Sequence, residues 1–247
     1  MTNTFTVIIP ARMASTRLHG KMLLDIGGKP LIQHVYEAAC LSNAEKVIIA
    51  TDNDLIFESV NSFGAECIMT SENHVSGTDR LAEVVNKLEF PDSTIIVNVQ
   101  GDEIGMPPEL INQTAELLIN KITGNMATIC EKIVDDREIS DPNVVKVVFS
   151  KQKTAIYFSR SSIPWHKEGL PLEYFRHIGL YAYRAGFLRK YSQMPRCELE
   201  QKESLEQLRA LYNGEAILIE EACVPSGIGI DTESDLQRAR ELVKSFD

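Results

Sequence analysis

Short β-branched runs alternate with amphipathic stretches of helical spacing through the first half of the chain, and this alternation restricts the fold more than any other feature. The apolar run Phe5 to Ile9 is followed by the helical stripe Leu31, Ile32, Val35, Ala38 and Ala39. The run Val47 to Thr51 precedes Ile56, Val60 and Phe63. Ala65 to Met69 precedes Leu81, Val84, Val85 and Leu88, and Thr94 to Val99 precedes a helix that Pro107 opens towards Lys121. The order βαβαβαβα predicts a parallel sheet joined by crossover helices. From Met126 the spacing changes to the extended runs Ala127 to Ile133, Val144 to Phe149, Thr154 to Phe158 and Ile178 to Tyr183, with little helix between them. These predict an antiparallel or mixed insertion, approximately 127–183, within one domain spanning 1–247. A helix over Leu199 to Leu211, a strand at Ala216 to Ile219 and a last helix from Thr232 complete the reading, with Thr232 and Asp235 placed as a capping box.

Charge narrows the function. A formal net charge of −10 excludes the broad basic footprint of a nonspecific nucleic-acid binder, so any polyanionic substrate must meet a local cluster of cations. No apolar run reaches membrane-spanning length, and the amino end lacks the pattern of a secretory leader, so a cytoplasmic location without membrane insertion is expected. The five cysteines, Cys40, Cys67, Cys130, Cys197 and Cys223, form no CxxC pair and read as free thiols, and the histidines show no metal-ligand spacing.

The first strand ends at Pro10 in a polar loop carrying Arg12, Arg17 and Lys21. At the carboxyl edge of an open α/β sheet this is where ligands bind, and the two guanidinium groups and one ammonium suit a row of phosphates. The same composition also suits a solvated basic turn. The strand before Gln100-Gly101-Asp102-Glu103 delivers an acidic pair to the same edge, where Asp102 can hold magnesium or simply cap the next element. Asp231, after Ile228-Gly229-Ile230, is a second acid at a strand end, and equally an N-cap. Ser76-Gly77-Thr78 leads into the Leu81 helix, a composition that fits either an anion or an ordinary cap. Arg160, His177, Glu206 and Gln207 could together bind a carboxylate and a row of hydroxyls, or be a core histidine and solvated helix residues.

Taken in order, Arg12 to Lys21, Ser76-Gly77-Thr78, Val97 to Glu103, Tyr157 to Trp165, Arg176 to Arg184, Leu205 to Arg209 and Gly229 to Thr232 resemble the 3-deoxy-manno-octulosonate (Kdo) cytidylyltransferase family, nearly end to end. The resemblance implies an α/β fold, a Rossmann-like nucleotidyltransferase with a mostly parallel sheet flanked by helices and a small mixed α+β dimerisation insertion. It implies a cytoplasmic homodimer that transfers the cytidylyl group of CTP to the anomeric hydroxyl of Kdo, releasing pyrophosphate and forming CMP-Kdo for the lipopolysaccharide inner core. In the roles so implied, Arg12, Arg17, Lys21, Ser76, Gly77 and Arg80 serve the nucleotide, and Asp102 and Asp231 hold Mg2+. Gln100, Arg160, His177, Tyr181, Glu206 and Gln207 serve the sugar, with Arg160 assigned to its carboxylate. In-line transfer of this kind needs positioning and charge neutralisation rather than a protein nucleophile.

Three places depart from the family pattern. His19 stands where proline usually precedes Gly20-Lys21, Ile104-Gly105-Met106 follows the acidic pair where proline is usual, and the stretch from Trp165 to Phe175 is short. They bear on sugar choice, so an 8-amino Kdo analogue and sialic acid are the alternative substrates; a non-catalytic nucleotide-binding protein is the alternative of another class.

Overall fold

The computed structural model describes residues 4–13, 18–121, 123–167, 172–230 and 232–244, and its nine longer strands form one mixed sheet. β1 (Phe5–Ala11), β2 (Lys46–Thr51), β3 (Glu66–Met69) and β4 (Ile95–Asn98) make the parallel half, in the order β3-β2-β1-β4. β5 (Met126–Lys132), β6 (Lys146–Phe149), β7 (Ala155–Ser159), β8 (Phe175–Arg184) and β9 (Ile217–Glu221) extend it. β8 joins the two halves: it runs antiparallel to β4 over Tyr181 to Arg184, antiparallel to β5, and meets β6 at Arg176 and Lys146. β9 pairs parallel with β5, and β7 pairs antiparallel with β6. The extended runs of 127–183 therefore enter the main sheet, and the ladders among them are antiparallel, the parallel pairing coming from β9.

Both faces are covered, which is why β1 reads as a continuous apolar run. Val7 and Ile9 face a core shared with α1 (Leu31–Cys40), α2 (Asp54–Ser62) and, across the sheet, α4 (Pro108–Asn120). Ile8, one residue out of phase, faces a second core. That core includes Leu81, Val84 and Val85, from α3 (Gly77–Lys87).

Beyond the short α5 (Arg137–Ser140), the second half holds more helix than its spacing suggests. α6 (Ala185–Ser192) follows β8 without an intervening turn and buries Ala185, Phe187, Leu188 and Tyr191. Its Gly186 and the absence of a cap residue conceal the start. The continuous helix expected over 199–211 is two helices, α7 (Glu198–Glu203) and α8 (Leu208–Tyr212), broken at Ser204, whose φ of +53° is left-handed. α9 (Glu233–Lys244) begins as expected: the Thr232 amide donates to Asp235 Oδ2 at 2.8 Å and the Asp235 amide donates back to Thr232 Oγ1 at 3.3 Å.

Candidate active site

From β1 the chain moves outward to β2 and β3, then returns to lay β4 on the other side of β1. The crevice between the carboxyl ends of β1 and β4 is thus a topological switch point, where open α/β sheets bind ligands. Arg12 leaves β1 there, and Gln100-Gly101-Asp102 leaves β4. The two loops touch so closely at Gly101 that a Cβ would lie 2.8 Å from the Pro10 carbonyl oxygen and 2.9 Å from Met22 Sδ. Only glycine permits this approach.

Lys21 ties the site together. Gly20, at φ +65°, turns the chain into a short 3-10 helix beginning at Lys21, and the Gly20 and Lys21 amides donate to Met13 O and Leu18 O, each at 3.3 Å. Backbone hydrogen bonds thus brace the chain on the side of His19 that leads into Lys21. The Lys21 ammonium is buried, ion-paired with Asp102, and donates to Ile230 O at 3.2 Å. One cation therefore links the β1 loop, the β4 loop and the approach to α9. Arg17 and Asp231 lie outside the described residues.

A cavity of about 620 Å³ opens beside this crevice, and Arg12, Ser76, Gly77, Gln100, Ser204 and Glu206 are among the residues that line it. Ser76 reaches it as the N-cap of α3, where its hydroxyl accepts from the Asp79 amide at 3.2 Å and donates to Asp79 Oδ2 at 2.9 Å. Arg80 stands apart. It is buried, and its guanidinium donates to Asp52 and Thr70, which anchors the loop before α3 to the end of β2.

The α7–α8 turn supplies another wall through Ser204, Leu205 and Glu206, and β8 lies behind it, with Tyr181 and Tyr183 in the same apolar core as Leu205. A register shift between Ile178 and Tyr181 sets His177 beside Tyr181, with ring centroids 5.2 Å apart, and Tyr181 stacks on Tyr183 at 5.8 Å. Thr128 Oγ1 donates to Leu180 O at 2.8 Å, so its contact of 3.2 Å with His177 Nε2 makes that nitrogen the donor and leaves Nδ1 as an acceptor. Burial pushes the His177 pKa down to about 3 and raises those of Tyr181 and Glu206. The Glu206 carboxyl lies against the hydroxyls of Thr78 and Ser76, while Tyr183 lies against Thr78 and Asn98.

Among the described residues, several buried polar atoms here make no hydrogen bond of good geometry: Thr78 Oγ1, both amide atoms of Asn98, the Tyr181 hydroxyl, Glu206 Oε2 and Gln207 Nε2. Buried polar atoms normally find a partner, and of these residues Glu206 lines the cavity, where a ligand rich in hydroxyls would offer one. Arg160 is held at two edges, with Nε donating to Glu203 O at 2.7 Å and Nη1 to Pro142 O at 2.8 Å. Sequence reasoning named Thr78 within the Ser76-Gly77-Thr78 loop and overlooked Asn98 and Tyr183 as neighbours of the site. An amide inside the apolar strand Ile95-Ile96-Val97-Asn98 was the available signal.

For a metal, no group of three or more His, Cys, Asp or Glu side chains converges among the described residues. Asp102 is a single hard-oxygen ligand at the crevice, a donor set that fits magnesium completed by substrate phosphates and unsuited to a tightly held transition metal.

A family profile described as cytidylyltransferase matches residues 6–217. The chain is 51% identical to the 3-deoxy-manno-octulosonate cytidylyltransferase of Idiomarina loihiensis, over 97% of this chain and 98% of that protein. It is 52% identical to the enzyme of the same name from Haemophilus influenzae strain PittGG, over 97% and 98%. Among solved structures, a CMP:2-keto-3-deoxy-manno-octonic acid synthetase complexed with CTP matches with a TM-score of 0.93 and 41% identity, covering 99% of this chain and 100% of that one.

Proposed function

The chain belongs to the 3-deoxy-manno-octulosonate (Kdo) cytidylyltransferase family, and on that premise we propose how its crevice and cavity divide the work. The enzyme transfers the cytidylyl group of CTP to the anomeric hydroxyl of Kdo. The sugar oxygen bonds to the α-phosphorus, the bond from that phosphorus to the bridging oxygen breaks, and pyrophosphate departs as CMP-Kdo forms. The Lys21–Asp102 pair at the sheet edge, beside a cavity lined by Arg12, Ser76, Gly77, Gln100 and Glu206, is the observation that carries this reading.

On the nucleotide side, Arg12 and Arg17 serve the phosphates, and Lys21 neutralises charge that develops on the departing pyrophosphate. Ser76 and Gly77 offer a hydroxyl and a close backbone approach at the start of α3. Arg80 holds that loop in place through Asp52 and Thr70. On the sugar side, Arg160 binds the carboxylate through Nη2. His177 Nδ1, Tyr181, Glu206, Gln207 and Gln100 orient hydroxyls. Asp102, with Asp231, would hold Mg2+, which when bound lowers the pKa of the attacking hydroxyl and offsets phosphate charge. No helix among the described residues is long and apolar enough to cross a membrane, and a cytoplasmic homodimer is part of the same proposal.

The test is pyrophosphate release from CTP in the presence of magnesium and Kdo, the 8-amino analogue or N-acetylneuraminate. Release should require sugar and metal together and should be fastest with Kdo, judged by kcat/KM. Asp102→Asn should keep the fold and lose about 100-fold or more in turnover. Sugar-independent turnover, or none with any of the three acids, would overturn the reading.

A further inference from the structure

Lys146 is wholly buried on β6, directly across from Ser159 of β7. An ammonium withdrawn from water needs an acceptor for each of its three protons. Here they go to Asp141 O at 2.8 Å, Val144 O at 2.6 Å and Arg160 O at 2.7 Å. Two of these carbonyls belong to the turn before β6, and the third belongs to the residue that follows β7. Gathering them fixes the Pro142 carbonyl between them, and that carbonyl accepts from Arg160 Nη1 at 2.8 Å.

The network continues into the wall of the cavity. Arg160 Nε donates to Glu203 O at 2.7 Å, the Arg160 amide donates to Glu203 Oε2 at 2.9 Å, and Ser159 Oγ donates to Glu203 Oε1 at 2.6 Å. Glu203 is the last residue of α7, and Ser204 then turns with φ +53° into Leu205-Glu206-Gln207. From the far side Tyr191 Oη donates to Glu206 O at 2.6 Å, with the Arg209 guanidinium 4.7 Å from the Tyr191 ring centre and bidentate on Glu200. Of the Arg160 nitrogens, Nη2 alone makes no hydrogen bond to a described residue.

We propose that Lys146 is a positioning residue for the acidic sugar: by clasping three carbonyls it aims the free edge of Arg160 and, through Glu203, sets the turn that carries Glu206 and Gln207. Lys146 itself touches no substrate. This rests on the Kdo-transfer reading and assigns to it a residue outside the cavity. Misplacing a binding group by about 1 Å can cost on the order of 100-fold. The loss should fall on the sugar, because Arg12, Lys21, Ser76 and Gly77 hang from other elements.

Lys146→Met and Glu203→Gln test this, with CTP and Kdo varied independently, pyrophosphate release as the readout, and a thermal melt of each variant. Both folded variants should raise KM for Kdo by about tenfold or more while KM for CTP stays within about twofold, Lys146→Met having the larger effect. A purely structural lysine would lower the melting temperature and leave both constants alone, or move them together; either result overturns the proposal. If Lys146→Met does not fold, Glu203→Gln decides by the same criterion. Wild-type protein that shows no turnover with Kdo overturns the activity reading itself, and this inference with it.

Discussion

His177 is neutral in the folded protein because its ring sits between Phe158 and Tyr181, with centroid separations of 5.0 and 5.2 Å, where a charge would lack solvation. Its pKa falls from 6.5 to about 3, so between those values the unfolded chain binds a proton that the folded one does not. Stability must therefore fall as pH drops through that window and recover as pH rises. His177→Gln removes this slope while adding a constant offset from the lost ring contacts. Urea unfolding at several pH values between 3 and 7 should show the wild type losing more on acidification than the variant. Equal slopes would mean that His177 titrates normally. At this scale the sequence speaks unevenly. Arg12, Lys21 and Asp102 are legible because charged groups at the ends of apolar runs mark a sheet edge. Lys146 and Asn98 are not, because one polar residue in a strand reads as a solvent-facing position, and only the tertiary fold reveals that both faces are covered.

At the scale of elements, Ser76 has two roles that substitution can separate. As N-cap of α3 it satisfies the Asp79 amide, and as a wall of the cavity it offers a hydroxyl. Ser76→Ala removes both functions and should cost about 1 kcal/mol of stability, whereas Ser76→Gly keeps a tolerated cap and should cost only about a few tenths. If the hydroxyl serves the nucleotide, the two variants lose similar kcat/KM for CTP despite unequal stability. Activity that tracks the urea midpoint instead would reduce Ser76 to a cap. The strands and the helices of the first half were legible because each carries its own period and boundary. The break between α7 and α8 was not: 199–211 holds neither glycine nor proline, and Ser204 takes its left-handed conformation while Glu203, tied to Ser159 and Arg160, fixes the chain on one side of it. That break brings Ser204, Leu205 and Glu206 to the cavity, so the feature hidden from local sequence shapes the proposed site.

Across the whole molecule, a chain of net charge −10 must concentrate its cations to receive a triphosphate; the loop after β1 carries Arg12, Arg17 and Lys21, and the switch point sets Asp102 of the β4 loop against Lys21. The opposite region of the sheet poses a different problem. Val134, Ile156 and Trp165 are 90%, 61% and 83% exposed, and all three belong to the segment from β5 to β8. Large apolar side chains bared along one segment, one on β7 and two in the loops after β5 and β7, are what an interface between two copies would cover. A stable dimer buries roughly 800 Å² per partner, enough to include them. Trp165 is the sole tryptophan of the chain, so its emission reports directly on this surface. Light scattering should give twice the chain mass at working concentration, and serial dilution should shift the tryptophan emission to the red as the copies separate. Trp165→Ala should move the dissociation to higher concentration while leaving the KM for CTP unchanged, since the nucleotide side lies on β1, β4 and α3. A monomer mass together with concentration-independent emission would leave this segment without a partner copy and remove the homodimer from the proposal.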